Sequence, residues 1–333
     1  MSTTNARTML FRAIEDGPDL DAAFEAYWPA FKKWMARPKK RTSGKQAREA
    51  LAEHMPELVP IFESLLERFA SKAEKQSEVA RFLTLYNPPP LVRGCTQAIW
   101  LGEGGPALVR NYDHAPHLAD GLVLKADWEG VRTLCPTDCL WGALDGVNEH
   151  GLCVALAFGG RSISGEGFAS PLLVRYALQT CKTAREAAER LARVPCAMTY
   201  TFVCLDAQGE HATVYAAPDR PARIDHKLAS ANHQGKVEWP QYALSCKTVE
   251  RLARTNELLD NKAQTLDGLV EHFLEPPLYR DTYDQGSGTL YTCVYHPGTG
   301  QLALHWPHAE PAGPLVRTLD GFEPVAVRAG LGS

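Results

Sequence analysis

Apolar and polar positions alternate with two different periods along the chain, and the change falls at one place. Up to about residue 85 the apolar residues recur every three or four positions. In DLDAAFEAYWPAFKKWMA, Phe24, Trp28, Phe31 and Trp34 follow at spacings of four, three and three, the stripe of an amphipathic helix. Asp19 or Asp21 is its candidate cap. The same period runs through GKQAREALAEHMPELVPIFESLLERFASKAEKQSEVARFLTLY. There Pro56 and Pro60 divide it, because proline lacks an N–H and clashes with the preceding turn. NPPP, Asn87 to Pro90, then stops helix and starts extended chain, since a residue before proline is pushed out of the helical region.

From Cys95 onward the character is that of strands and hairpins. TQAIWL, the turn GEGG and PALVRNY read as a first hairpin, apolar runs separated by glycines. GLVLKA is a short strand, and DGVNEHGLCVALAF a turn followed by a buried strand. Two helices come next: Ser170 is the candidate cap of one, ahead of Pro171, and TARE, Thr183 to Glu186, is a capping box for the other. MTYTFVCL–DAQG–EHATVYA is a second hairpin, TVERLARTNELL a helix, and TLYTCVYH–PGTG–QLALHW a late hairpin. Hairpins with helices grouped between them predict an α+β fold with antiparallel sheets, not a doubly wound parallel sheet.

Composition fits a globular chain: of 333 residues, 45% are hydrophobic and 22% charged. No stretch approaches the roughly 18 unbroken apolar residues of a membrane span, and the first residues lack the apolar core of a signal peptide. A cytoplasmic protein without membrane contact is the expectation. Nine cysteines, an odd number, argue for free thiols in a reducing compartment. Net charge is −4, but residues 1–94 hold 15 Lys+Arg against 12 Asp+Glu, whereas residues 95–333 hold 20 against 27. The basic run KKWMARPKKRTSGKQAR lacks interleaved aromatics, so nucleic acid is not expected. A solvated helix–loop–helix connection is expected instead, and a basic N-terminal piece lying on an acidic remainder is also electrostatically reasonable.

Candidate chemistry centres on Gly94 and Cys95, at the head of the first strand. Gly94 has no Cβ, which leaves its carbonyl open to close attack. RNYD, Arg110 to Asp113, follows the first hairpin turn, so strand pairing returns it beside Cys95. Asn232, in SANHQG, is a candidate donor for an oxyanion. Asn111, Phe158, His233, Ser287 and Thr289 are pocket candidates, and Asn148 reads as a turn former. Cys135 and Cys139 in CPTDC, and His114 and His117 in DHAPH, do not make a metal-ligand pattern. Neither a metal nor a cofactor is expected.

GCT (Gly94 to Thr96), RNYD, DGVNEHGL (Asp145 to Leu152), LLVRYALQTCKTAREAAERLARVP and ANH (Ala231 to His233) together resemble the cysteine N-terminal nucleophile hydrolases. Within these they are similar to the autoproteolytic acyltransferases typified by isopenicillin N acyltransferase. The resemblance covers most of residues 91–310 and rests on the order and spacing of its motifs. It implies a four-layer αββα sandwich, two antiparallel sheets between helices, with a helical N-terminal prosegment. It implies self-cleavage at Gly94–Cys95, leaving a small chain (1–94) bound as an αβ heterodimer to a large catalytic chain (95–333). It further implies Cys95 as nucleophile, Arg110 and Asp113 beside it, Asn232 at the oxyanion, and an S-acyl intermediate formed from a small N-acyl substrate. An acyl-CoA or an amine acceptor is a further expected partner. Where some relatives carry an arginine late in the chain, this sequence reads GSG, Gly286 to Gly288. Two other readings stay open at this point. One is an internal-cysteine hydrolase with His150 or His233 as base and no self-cleavage. The other is a non-catalytic binding protein of the same fold.

Overall fold

The computed structural model describes residues 8–37, 42–73, 75–90, 92, 94–307 and 313–331. β1 (Thr8–Glu15) leads into α1 (Pro18–Met35), α2 (Gly44–His54), α3 (Val59–Ala70) and α4 (Gln76–Thr84). Next come β2 (Gly94–Trp100), β3 (Ala107–His114), β4 (Leu122–Trp128), β5 (Val131–Asp138), β6 (Gly142–Ala143), β7 (Asp145–Asn148) and β8 (Cys153–Phe158). α5 (Ser170–Thr180) and α6 (Ala184–Arg193) precede β9 (Tyr200–Leu205), β10 (His211–Ala217), β11 (Arg220–Asp225) and β12 (Ala229–Ser230). α7 (Pro240–Ser245), α8 (Thr248–Asp260) and α9 (Leu266–Phe273) lead to β13 (Gly288–His296), β14 (Gln301–His305), β15 (Leu315–Thr318) and β16 (Val325–Gly330).

Two sheets form, and their packing gives the expected α+β sandwich. The larger runs β11-β10-β9-β8-β7-β5-β4-β1-β16, with β6 paired to β5; the smaller runs β12-β2-β3-β13-β14-β15. α5 and α6 cover the outer face of the larger sheet, while α8 and α9 cover the smaller sheet at β2, β3 and β13. The inner faces meet where β2 packs on β8, and Cys95, Tyr112, Tyr291 and Leu156 join one continuous core there. The outer residues Ala98, Trp100 and Val109 pack instead with Leu269 and Phe273 of α9. Strand alternation thus sends successive residues of β2 into different cores.

The N-terminal segment is helical apart from one strand. The aromatic stripe of α1 is a packing face, as its spacing predicts: Phe24 stacks on Phe69 of α3 at 4.3 Å and on Trp28 at 5.3 Å. The break falls between α2 and α3, where Pro56 lies, and Pro60 sits in the first turn of α3. β1, however, belongs to the large sheet, parallel to β4 (Arg12↔Leu122) and antiparallel to β16 (Phe11↔Val327). An eight-residue run, TMLFRAIE, gives little periodic signal, so only its distant partners identify it as a strand.

Other local expectations need correction. α1 starts after Gly17 with Pro18 in its first turn and no side-chain cap, and Ser170 lies inside α5 rather than capping it. Thr183 does cap α6 through Glu186 N, but the Glu186 carboxylate accepts from Lys182 N, so the capping box is half made. Among the described residues, the ion pairs of the basic run stay within the N-terminal segment. Lys32, Lys45 and Arg48 pair with Glu78, Glu49 and Glu63 of the N-terminal segment itself; residues 38–41 fall outside the described residues. Among the described residues no helix is long and apolar enough to cross a membrane.

Because β1 is an interior strand, its core residue should matter to the whole sheet. Phe11 is buried against Tyr291 and Trp306. Phe11→Ala is expected to cost about 3–5 kcal/mol of unfolding free energy, read from the midpoint of urea denaturation.

Candidate active site

The hairpin of β2 and β3 builds the site. Gly94 lies opposite Asp113, Cys95 opposite Tyr112, and Gln97 opposite Arg110. Side chains alternate across this pair, so Cys95 and Arg110 point between the sheets, whereas Asn111 and Asp113 point toward the helical layer. The Arg110 Nη2 donates to Cys95 Sγ at 3.2 Å. The same guanidinium donates to Leu156 O of β8 and, through Nη1, to Asp145 and Tyr291 Oη. Both charges of this ion pair are fully buried. Asp145 also accepts from Tyr291 at 2.9 Å, from Tyr295, and from Cys293 Sγ at 3.5 Å.

A second constellation holds the backbone of Cys95. Its N–H donates to Asn232 Oδ1 at 2.9 Å, and Asn232 Nδ2 donates to Phe158 O at 3.0 Å. Arg251, from α8, donates to Cys95 O at 2.8 Å, to Thr96 Oγ1 and to Asn232 Oδ1 at 2.7 Å. It also lies 3.4 Å from Asp113 Oδ2. Thr289 donates to the other Asp113 oxygen at 2.7 Å. Burial pushes the Cys95 thiol up, and the nearby Arg110 charge opposes that shift.

Gly94 is required by its neighbour and not by backbone strain. A Cβ there would lie 2.6 Å from Asp113 Oδ2 and 2.9 Å from Asp113 Cβ. The carboxylate therefore sits directly against the residue that precedes the thiol.

Cys95, Arg110, Asp113 and Asn232, drawn from three separate stretches of sequence, thus meet around one peptide bond. The pocket candidates divide. Phe158 is beside the site through its carbonyl, and its ring packs edge-on against Tyr242 and Trp239. His233 bonds Thr248 instead, with burial lowering its pKa. Asn111 points away and holds Phe273 O, Leu278 O and Thr292, so it fastens the outer helical layer. Ser287 is a turn residue whose carbonyl accepts from Thr282; its near neighbour Thr289 is the residue that reaches Asp113. The strand ending ALAF offers its carbonyls Leu156 O and Phe158 O to Arg110 and Asn232. Asn148 is the turn former expected, its oxygen accepting from His150 N and Leu152 N.

Two polar residues of the site escape a reading by hydropathy. Arg251 occupies the buried stripe Thr248, Arg251, Thr255 and Leu258 of α8, where an apolar residue is the usual occupant. The spacing of that stripe, with an arginine inside it, is the signal available in sequence. Asp145 begins a four-residue strand that reads as part of a turn.

Asp145 balances a charge that no water reaches. Asp145→Asn should therefore leave the Arg110 charge buried without its carboxylate, at about 3–5 kcal/mol. Chemical denaturation against the parent chain measures this.

Solved structures that are similar to the chain include the following three. Penicillin V acylase from Agrobacterium tumefaciens shares 15% identity, with a TM-score of 0.48, over 72% of this chain and 92% of its own. A conjugated bile acid hydrolase mutant from Clostridium perfringens shares 12%, with a TM-score of 0.46, over 70% and 96%. The N-acylethanolamine-hydrolyzing acid amidase ortholog from Caenorhabditis elegans shares 15%, with a TM-score of 0.43, over 61% and 93%. A comparison with curated proteins returns no match. A family model matches residues 100–310, which include Arg110, Asp113, Asp145, Asn232 and Arg251, and begins just after Cys95. The chain belongs to the acyl-coenzyme A:6-aminopenicillanic acid acyl-transferase family.

Proposed function

We propose that the protein is a self-processing amide hydrolase or acyltransferase that cuts itself at Gly94–Cys95 and then works through an S-acyl intermediate on Cys95. One observation carries this reading: the nitrogen and the sulfur of the same residue are each held by a dedicated buried partner, Asn232 for the nitrogen and Arg110 for the sulfur. Any buried backbone N–H needs a partner, but a structural cysteine in a core needs no buried arginine on its sulfur.

Self-cleavage follows from that grip. The Cys95 sulfur adds to the Gly94 carbonyl carbon. The Gly94–Cys95 C–N bond breaks, and the thiol proton ends on the Cys95 nitrogen. Water then hydrolyses the thioester, freeing the Gly94 carboxylate and the thiol. The released amine has an ordinary pKa of about 7.7–8.0, so it can act as a base near neutral pH for its own thiol. In turnover the sulfur bonds the acyl carbon and the substrate's amine departs with a proton from the Cys95 ammonium. Water or an amine acceptor then attacks the thioester and gives its proton to the Cys95 amine. Arg110 favours the thiolate, Asp113 is close enough to take the amine's charge once Gly94 leaves, and Arg251 holds Asn232 and the Cys95 carbonyl in place. A small N-acyl compound is the proposed substrate, with acyl-CoA among the acyl donors to be tested.

The internal-cysteine alternative has less support. Among the described residues, Arg110 is the hydrogen-bond partner of Cys95 Sγ, and His233 is engaged with Thr248. The small chain is proposed to remain as a subunit after cleavage, since β1 is flanked on both sides and Trp141 Nε1 donates to Leu83 O of α4. A reducing, cytoplasmic setting accords with nine cysteines that are all free and buried.

The test is intact mass with N-terminal sequencing. Scaling 36.6 kDa by 94 of 333 residues gives pieces of about 10 and 26 kDa, the larger starting Cys-Thr-Gln. Cys95→Ala should give one uncleaved, inactive chain. Gly94→Ala should slow cleavage by at least about tenfold, since its methyl group meets Asp113. Full activity from an intact 36.6 kDa chain would refute the reading.

A further inference from the structure

On β13 the alternate residues Tyr291, Cys293 and Tyr295 share one face and are buried between the sheets. Apolar side chains would fill such positions with no polar atom to satisfy. Here all three donate to a single carboxylate, Asp145 of β7. Three donors from one strand converging on one buried group call for a reason beyond filling space.

The two oxygens of Asp145 carry different loads. Oδ2 accepts from Arg110 Nη1 and from Tyr291 Oη at 2.9 Å. Oδ1 accepts from Tyr295 Oη and, at 3.5 Å, from Cys293 Sγ. Tyr291 also accepts from Arg110 Nη1 at 3.2 Å, so it belongs to both groups. Tyr295 does not: among the described residues its hydroxyl makes one hydrogen bond, to the Asp145 oxygen that faces away from Arg110.

The effect of that bond on Arg110 has a sign. A donor on Oδ1 draws negative charge toward that oxygen and away from Oδ2. The less charge Asp145 presents at Oδ2, the more of the Arg110 charge is left for its other contact, Cys95 Sγ at 3.2 Å. All these groups are buried, so water does not screen the shift. Burial, and after it the Asp145 charge, pushes Tyr291 and Tyr295 well above the ordinary tyrosine range and Cys293 well above that of a thiol, so each stays a protonated donor near neutral pH. Arg110 and Asp113 face Cys95 from β3, Arg251 from α8 and Tyr242 from α7. Among the described residues Tyr295 bonds none of these, so its influence on the thiol runs through Asp145 and Arg110.

We infer that Tyr295 is a positioning residue for the nucleophile: by holding the far oxygen of Asp145, it leaves the Arg110 charge to the Cys95 sulfur. This rests on the proposed role of Cys95.

The test is the pH dependence of iodoacetamide alkylation in the cleaved protein, followed by mass at Cys95. Tyr295→Phe keeps the ring and removes one hydrogen bond. Its inflection should move to higher pH, with the rate below the inflection about three- to tenfold lower and the high-pH plateau held, a part of what a hydrogen bond to a charged group supplies. Asp145→Asn removes the charge that competes for Arg110, so its inflection should move to lower pH. The Cys95 amine titrates in every variant alike, so differences between variants report the thiol. A merely structural role predicts no such opposition, since both changes loosen the same core. Phe62→Leu, in the buried face of α3, costs stability without touching this network and should leave the inflection in place. If Asp145→Asn does not fold, Tyr295→Phe against Phe62→Leu decides the matter. An inflection that Tyr295→Phe lowers, leaves in place or moves no further than Phe62→Leu does overturns the inference while leaving Cys95 as the nucleophile. So does a folded Asp145→Asn whose inflection fails to fall. A chain that never cleaves and takes no reagent at Cys95 removes the proposed function and this inference together.

Discussion

The Arg110 guanidinium, buried between two sheets and pinned by Asp145, is the constraint on which the site depends. A charge in that position is tolerable only with a counter-charge and with its remaining donors satisfied. Asp145 supplies the first from β7, Leu156 O accepts from β8, and Tyr291 accepts from β13. Those demands fix how closely β3 of the small sheet approaches the large one. Once that distance is set, the remaining Nη2 donor of Arg110 faces Cys95 Sγ at 3.2 Å. Cys95 Sγ is thus placed by the electrostatics of the core, and the same contact opposes the rise that burial imposes on its thiol.

The proposed self-cleavage requires the site to be assembled while Gly94 and Cys95 are still joined. The N-terminal segment is built into the fold accordingly: it lends β1 to the interior of the large sheet, between β4 and β16, and packs its helical core into the sandwich core. The connector is also clamped: Asn87 N donates to Gly167 O, Asn87 Oδ1 accepts from Gly167 N, and Asn87 Nδ2 donates to Thr42 Oγ1. These contacts position Gly94 without strain in its own backbone. A strand buried on both edges is far harder to release than a docked helix, because every one of its backbone groups would lose a partner.

Much of the fold was legible because its elements are local. The three hairpins announce themselves by alternation on each side of a short polar turn, and the structure pairs each as read, with Tyr200–Leu205 against His211–Ala217 and Gly288–His296 against Gln301–His305. The aromatic stripe of α1 and the proline breaks were equally plain. β1, β15 and β16 were not. Each is short, half-polar at its exposed positions, and defined by partners far away in the chain, so nothing in its own period distinguishes it from loop.

The sequence by itself determined the amphipathic N-terminal helices, the hairpins, the sharp boundary at NPPP, and the hairpin register that returns RNYD beside GCT. These depend on side-chain period and turn chemistry, which act over a few residues. Only the tertiary structure decided that Asp145 is the counter-charge of Arg110, that Arg251 reaches Cys95 from a helix, and that Asn232 holds its nitrogen. It also decided that Asn111 faces the wrong way and that Gly94 is glycine because Asp113 lies against it. Those outcomes turn on which distant groups must neutralise one another once water is excluded. That is a property of the packed interior and not of any stretch of chain.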